Sequence, residues 1–496
     1  MKKYGWLLLA LLAAWPVNTL AYGMGDGGVN MLCALAALLW LAFALWKRKK
    51  IDPALLIASA GFVLGLVFVL KLPHSFSYHD LAGYNPDFTG EAKPDGHLGF
   101  IAYLVEFGKL PNHNPLIDGY TVFYNPPLHH IVHALFMKLN LALGVQQQAA
   151  IENLQLITLG CAAACTLVTI DLLRFLGAGK RGTLTGALLM AFQPCMLLFG
   201  ATLNNDIQMN LLVILAMLFT VRWHRTRHMR DILLCGVSLG LAMATKLSSA
   251  LIIPCIAVVF AAAFFRDLKQ WKRYVGQFAA FLAVSVPEAV AWPVYHLIAF
   301  NAPLNHVRLP AETINVSAYS LWQRYGIPDG KAIRGLFYSG IRKIDHNVWM
   351  QTLKSGMFDE LALFNEGTLM WYVSYMALVG FAVLLLASLA LFIRWLIKGK
   401  TDGMTKLFLA LFGGILIANY LQFTLQYPYI CTFSFRYIMA VLPLCAIAFS
   451  HFADTAKHGR WTVTALCALF AAAVIVIYAI YFFGPSQFET IRAAYW

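Results

Sequence analysis

The chain has 496 residues, of which 60% are apolar and only 12% are charged. Soluble proteins carry about 25% charged residues, so this composition excludes a soluble enzyme, a disordered scaffold and a nucleic-acid-binding module with a small anchor. Apolar blocks long enough to cross a bilayer recur from residue 5 to residue 483. We therefore predict an all-α polytopic membrane protein that forms a single domain over residues 1–496.

Thirteen segments are mostly apolar over the roughly 20 residues that a spanning helix needs. They are residues 5–22, 29–46, 53–72, 152–176, 183–202, 207–223, 232–246, 248–265, 274–298, 369–396, 405–424, 437–452 and 461–483. The first segment also has the basic start, apolar run and small residues of a signal peptide. We favour a retained span, and its removal would leave the other twelve unchanged.

The Lys and Arg residues predict the orientation of these spans, because cytoplasmic loops are enriched in both. The chain has 37 Lys and Arg residues against 23 Asp and Glu residues. With the N-terminus in the cytoplasm, most basic residues fall in alternate loops, and most acidic residues fall on the other side. The basic excess is therefore a topology signal in a plasma membrane, the inner membrane of a bacterium. Residues 73–150, residues 301–368 and the C-terminus lie on the outer (periplasmic) side in this prediction.

The first long outer loop combines a carboxylate with two short amphipathic segments. Asp80 follows closely after the third span, where its side chain can reach a lipid head group. One segment begins near Asp95 and another near Tyr124, and both have apolar residues at helical spacing. Because both are too short and too polar to span, we predict helices that lie along the outer interface.

His129, His130 and His133 lie close together in the second of these segments. Histidines at this spacing can bind a metal ion. The segment contains no Asp or Glu neighbour and no HExxH pattern, and polar residues at an interface explain the three side chains more simply. We therefore predict no metal site. The cysteines, nearly all inside apolar segments, predict no disulfide framework.

The order of several motifs resembles the GT-C superfamily of membrane glycosyltransferases, which use polyprenyl-phosphate-linked sugars. Protein O-mannosyltransferases and aminoarabinose transferases belong to this superfamily. The matching motifs are Asp80 after an early span, Gly-His-x-x-x-Ile-x-Tyr-Leu from Gly96, an aromatic-x-Pro-Pro-Leu from Tyr124, Leu203-Asn204-Asn205-Asp206, a Gly-rich segment that ends in Thr245-Lys246, and Arg436-Tyr437. The chain departs from many relatives because two spans precede the one that leads to Asp80. In addition, Asp80 is preceded by His79, and the Asp-Glu pair typical of some branches of the superfamily is absent.

The resemblance implies sugar transfer from a polyprenyl-phosphate-linked donor to a lipid, glycan or protein acceptor at the outer face. Such a reaction needs a base for the acceptor hydroxyl and cations for the departing phosphate. We predict Asp80 and Asp206 as catalytic residues and Arg436 and Lys246 as ligands of the donor phosphate. The predicted substrate-binding residues are His79, His97, Tyr124, His129, His130 and Glu360. No cofactor is predicted, and a divalent cation is possible but not indicated.

Several of these residues also have a structural interpretation. Asp206 could cap a helix, Lys246 could extend its ammonium towards the interface, and Glu288 in the ninth span could pair with Lys246. In the second long loop, residues 358–366 are typical of a solvated loop. The alternative function is a polytopic transporter or lipid flippase, although transporters keep ionisable residues near the bilayer centre, where Glu288 is nearly alone. A membrane O-acyltransferase has only His296 in its favour.

Overall fold

The computed structural model describes residues 2–76, 96–117, 122–304, 314–336, 346–359, 361 and 363–484. Across these ranges the regular elements are helices, and one isolated antiparallel bridge joins Asn315 to Tyr429. The α-helices of the first half are α1 (Lys2–Tyr22), α2 (Asp26–Lys47), α3 (Pro53–Lys71), α4 (Gly96–Phe107), α5 (Leu128–Ala142), α6 (Gln147–Asn153), α7 (Gln155–Phe175), α8 (Lys180–Ala191), α9 (Pro194–Gly200), α10 (Asp206–Thr226) and α11 (Met229–Thr245).

The remaining α-helices follow the same alternation of long and short elements. They are α12 (Ile253–Arg266), α13 (Trp271–Phe300), α14 (Leu321–Tyr325), α15 (Gly330–Arg334), α16 (Val348–Phe358), α17 (Leu369–Lys398), α18 (Gly403–Gln426), α19 (Leu442–Thr455) and α20 (Arg460–Phe483). Short 3-10 helices cover Leu247–Ile252, Leu268–Gln270, Ile430–Phe433 and Phe435–Val441.

The predicted fold class, an all-helical membrane protein, is confirmed. Within the described residues, 11 helices are long and apolar enough to cross a membrane, or 12 if one bent pair counts as a single span. The remaining predicted segment, the seventh (residues 232–246), is the 17-residue helix α11. It is shorter than the roughly 20 residues of a full crossing.

The bent pair is the fifth predicted span, which consists of α8 and α9 joined at an angle of 53°. Pro194 is the first residue of α9, and Gln193 before it is extended. Proline lacks a backbone N–H and disfavours the helical conformation in the residue before it. The span therefore breaks at this position, and α9 leads into the segment that precedes α10.

The Gly-rich segment of α11 allows this helix to pack closely against α13. A Cβ atom added at Gly240 would lie 2.9 Å from the Ser285 backbone oxygen, and one at Gly236 would lie 2.8 Å from the Val284 side chain. Small residues permit such close helix contacts in membrane proteins. Because α11 also packs against α10, this contact fixes where the end of α11 lies relative to the start of α10.

Helix α1 is joined to later helices by a buried polar network. Asn18 donates a hydrogen bond to Asn153 (3.0 Å), and Asn153 donates to Thr19 (2.8 Å) and to Asn140 (2.8 Å). Trp15 donates to the same Asn140 side chain at 2.7 Å. The predicted first span is therefore an integral part of the bundle in this structure, and it supports α5 through Asn140.

The basic loops meet at one end of the bundle, which we call the opposite face. Asp454 accepts hydrogen bonds from the backbone N–H groups of Gly179 (2.7 Å) and Gly182 (2.8 Å) at the start of α8. Asp402 lies 3.0 Å from His224 and 3.5 Å from Arg225. The loops that were predicted to share the cytoplasmic side therefore do share one end. The other end, with α4, α5, α16 and the start of α10, is the loop face.

Candidate active site

Asp206 is the first residue of α10 on the loop face and is almost completely buried, with 1% of its surface exposed. Its backbone N–H donates to Asn204 Oδ1 at 2.7 Å. Asn205, and not Asp206, occupies the N-cap position. The carboxylate is therefore not the helix cap of the structural interpretation, although its negative charge does suit the helix N-terminus.

Lys246 directly follows α11 and places its ammonium against this carboxylate. The Nζ atom lies 2.6 Å from Asp206 Oδ1. The two elements are held together by a second contact, because Asn205 donates its side-chain amide to the Thr245 backbone oxygen at 3.2 Å. Lys246 thus forms an ion pair with the buried Asp206 carboxylate, and the Lys246 side chain itself is 19% exposed. The alternative partner, Glu288, is exposed on α13, and the interpretation in which it pairs with Lys246 is wrong.

Arg436 approaches Asp206 from a third element, the 3-10 helix Phe435–Val441. Its Nη1 atom lies 3.7 Å from Asp206 Oδ2, and its Nη2 atom donates to the Tyr437 hydroxyl at 2.9 Å. The Tyr437 ring centre lies 4.8 Å from the Arg436 guanidinium and 5.4 Å from Lys246 Nζ. Tyr437 therefore lies beside both cations, a position that the Arg-Tyr motif alone did not reveal.

These three charged residues form what we call the charged cluster: Asp206, Lys246 and Arg436. Two cations face one carboxylate in a region from which most water is excluded. Charged groups are buried only when they are paired, bind a ligand or both. The cluster has a net positive charge, which suits an anionic ligand such as a phosphate.

The predicted histidines meet α10 close to the charged cluster, because His129 contacts Gln208, two residues after Asp206. His97 Nδ1 and His130 Nε2 are 3.0 Å apart, and His129 Nδ1 lies 3.1 Å from Oε1 of Gln208 on α10. His133 Nδ1 donates to the His129 backbone oxygen at 2.8 Å. All four imidazoles are buried, so they do not lie at a solvated interface as predicted.

Burial also controls the protonation of this histidine group. It lowers the pKa of His129 and His130 well below the ordinary value, and neighbouring imidazoles add to the effect. Burial lowers the pKa of His133 to about 4. These three side chains are therefore neutral at pH 7.

The remaining predicted substrate-binding residues have different positions. Tyr124 is half-buried, and its backbone oxygen accepts a hydrogen bond from Trp292 at 3.0 Å, which joins the first loop to α13. His79, Asp80 and Glu360 lie outside the described residues. Their predicted roles, and those of the histidines, stay predictions.

The second long loop differs from its prediction in part. Helix α16 is almost wholly buried and packs against α9 and the segment that carries Arg436. Phe358 and Asp359 are buried, so the solvated interpretation is wrong for them, whereas Asn365 and Glu366 are exposed. The apolar residues at both ends of α16, such as Val348 and Phe358, were the signal for burial, but the polar residues between them obscured it.

No arrangement of three or more His, Cys, Asp or Glu side chains that could hold a metal ion is found in the described ranges. The carboxylate of the charged cluster is instead engaged by Lys246 and Arg436. The chemistry that this arrangement offers is the recognition of an anion next to a hydrogen-bonding tyrosine.

Comparisons with known proteins agree with the resemblance seen in the sequence. Residues 125–292 match the family described as dolichyl-phosphate-mannose-protein mannosyltransferase. The chain is similar to ArnT from Cupriavidus metallidurans bound to undecaprenyl phosphate, with 14% identity, a TM-score of 0.50, and coverage of 88% of this chain and 67% of that chain. An oligosaccharyltransferase from Archaeoglobus fulgidus has 15% identity and a TM-score of 0.45, with coverage of 86% and 54%. No curated protein matches the chain in sequence.

Proposed function

We propose that this protein, a membrane glycosyltransferase of the GT-C type, transfers a sugar from a polyprenyl-phosphate-linked donor to an acceptor hydroxyl. The acceptor is a lipid, a glycan or a protein, and the transfer takes place at the outer face of the plasma membrane. The observation that carries the proposal is the charged cluster, which is buried and positive at the loop face. The name of the matching family and the ligand of the ArnT structure both include a lipid phosphate.

Lys246 and Arg436 bind the donor phosphate in this proposal. An arginine can donate two parallel hydrogen bonds to phosphate oxygens, and a lysine adds a compact positive charge. The Arg436 guanidinium is held by the Tyr437 hydroxyl, which orients it before the donor arrives. As the bond between the sugar and the phosphate breaks, negative charge grows on the phosphate, and both cations stabilise that charge.

The acceptor oxygen attacks the anomeric carbon of the sugar, and the polyprenyl phosphate leaves with the electrons of the broken C–O bond. The acceptor proton must move to a base. Both oxygens of Asp206 face cations, so a proton on this carboxylate would weaken two ion pairs. We therefore assign the base to Asp80 and assign to Asp206 the role of holding the two cations in place.

The outer face is supported by the charge distribution. The charged cluster lies at the end of the bundle opposite to the basic loops, whose Asp402 and Asp454 contacts bring them together. Basic loops face the cytoplasm in most membrane proteins. A site at the loop face would then meet donors and acceptors on the outer side.

The experiment that tests the function is sugar transfer by the purified protein from labelled undecaprenyl-phosphate sugars. Asp80→Asn keeps the size of the side chain but removes the proton acceptor. We expect this variant to bind donor normally and to lose about 10²–10⁴-fold in turnover, the usual contribution of a general base. Asp87→Asn, in the same loop, is the matched control and should keep its activity. Near-normal turnover in Asp80→Asn would transfer the role of base to another residue.

A further inference from the structure

Gln351 on α16 is a buried amide that the charged cluster does not use. Only 1% of the residue is exposed, and among the described residues neither its side-chain oxygen nor its side-chain nitrogen has a hydrogen-bond partner. A buried polar group without a partner destabilises a protein, so it is rarely kept without a function. The two unpaired atoms together offer one acceptor and two donor hydrogens.

The backbone around Gln351 places it beside the segment that carries Arg436. The Ser355 hydroxyl donates to the Gln351 backbone oxygen at 2.7 Å, and the same hydroxyl oxygen accepts the Phe435 backbone N–H at 2.9 Å. Gln351 and Ser355 are four residues apart and therefore share one face of α16. Because Phe435 immediately precedes Arg436, this face of α16 is joined directly to one of the two proposed phosphate ligands.

A second contact confirms which face of α16 meets this segment. The Thr352 hydroxyl lies 3.3 Å from the Phe433 backbone oxygen and 2.6 Å from the Tyr420 hydroxyl. Thr352 and Ser355 thus anchor α16 on both sides of residue 434. Gln351 lies next to Thr352 on the same helix, so its backbone has a fixed position relative to the segment that carries Arg436.

We infer that Gln351 is a specificity-determining residue that binds a hydroxyl group of the donor sugar. This inference rests on the proposed function, because it needs a phosphate at Arg436 to place the sugar nearby. A sugar hydroxyl both donates and accepts hydrogen bonds, as does an amide. A phosphate is a poorer match, since it can accept from the amide NH₂ group but offers no donor to the amide oxygen. A site that is built to bond a hydroxyl rejects ligands that lack it.

The test compares two kinds of lipid probe on the purified full-length protein. One probe is undecaprenyl phosphate without a sugar, and the others are undecaprenyl phosphates that carry glucose, mannose, galactose or 4-amino-4-deoxyarabinose. In Gln351→Met, which keeps the length of the side chain and removes its hydrogen-bonding groups, we expect unchanged affinity for the sugar-free lipid. We expect a loss of about 10-fold in affinity for the preferred sugar-bearing lipid, as for one good hydrogen bond, and a weaker preference among the four sugars.

Thermal unfolding without any lipid separates this role from a structural one. The unpaired amide does not stabilise the lipid-free protein. Gln351→Met should therefore unfold at a temperature equal to or higher than that of the wild type. The matched control is Gln277→Met, because Gln277 is also buried but bonds to Trp223 and to the Arg227 backbone oxygen. This control should lower the unfolding temperature and keep the sugar preference.

Two results would overturn the inference. An unchanged sugar preference in Gln351→Met, with normal lipid binding by the wild type, would overturn the role of Gln351 and leave the proposed function intact. A wild type that binds none of the lipid probes would overturn both. If Gln351→Met does not fold, Gln351→Glu is measured instead, and it must change the order of sugar preference.

Discussion

The two ends of the helix bundle both carry ion pairs, but water reaches these pairs very differently. On the opposite face, the paired side chains of Arg174 and Asp52 are 35% and 40% exposed. On the loop face, those of Arg436 and Asp206 are 5% and 1% exposed. Exposed pairs contribute about 0–1 kcal/mol to stability, whereas buried charges are costly and must be balanced by partners.

This difference explains what each group of charges does. The exposed basic residues of the opposite face are topology signals, and their pairs are a minor addition. The charged cluster is held between three separate elements, which is a costly arrangement for a purely structural role. Its value lies in binding an anion in a place where electrostatic attraction is weakly screened.

The largest contrast is expected when one carboxylate is removed from each end. Asp206→Asn leaves Lys246 and Arg436 without their buried counter-charge, and we expect it to lower the free energy of unfolding by about 3 kcal/mol. Asp402→Asn, at the opposite face, should cost no more than about 1 kcal/mol. Thermal or denaturant unfolding in one detergent measures both. Equal decreases in the free energy of unfolding would show that burial does not distinguish the ion pairs at the two ends.

A second contrast comes from arginine replaced by lysine at each end. Arg436→Lys keeps the charge but loses the two-pronged donor geometry, so we expect affinity for undecaprenyl phosphate to fall by about 10–100-fold. Arg225→Lys, which retains a cation near Asp402, should change this affinity by less than about two-fold. Direct titration with the lipid provides the measurement. If Arg436→Lys binds undecaprenyl phosphate with the affinity of the wild type, the role of Arg436 is structural.

The smallest contrast concerns pH and the buried histidines. Because burial lowers the pKa of His130 in the folded protein, the unfolded protein takes up a proton first as the pH falls below about 6.5. The free energy of unfolding should therefore decrease on acidification from pH 7 to pH 5, by up to about 1.4 kcal/mol per pH unit for each such histidine. His130→Phe should reduce this slope, whereas His458→Phe, at an exposed site, should not. A slope that is the same in all three proteins would contradict the expectation.

Apart from residues 232–246, the predicted spans correspond to helices long enough to cross a membrane, because a bilayer imposes a minimum length of apolar chain. The sequence also indicated that Asp206, Lys246 and Arg436 lie at one end, because the order of spans fixes the end at which each loop emerges. It could not select the partner of Lys246. Glu288 was the partner suggested by its position within a span, and only the packing of α11 between α10 and α13 shows that Asp206 takes this place.

Burial of polar residues was the feature that the sequence concealed. His129 and Gln351 are typical of solvated or interfacial segments by residue type, yet both are buried. Their burial depends on contacts with distant elements, such as Gln208 for His129 and the segment near Arg436 for α16. Such contacts leave no local periodic signal, so amphipathic spacing alone predicted the wrong surroundings.

The asparagine network of α1 has a consequence for the order in which the protein assembles during synthesis. Asn18 finds its partner Asn153 only 135 positions later in the chain, and the Lys3–Asp171 pair closes over 168 positions. At the time α1 enters the membrane, neither partner has been made. These polar contacts of α1 therefore form only after α6 and α7 have been made, whereas its packing against α2 and α3 can form earlier.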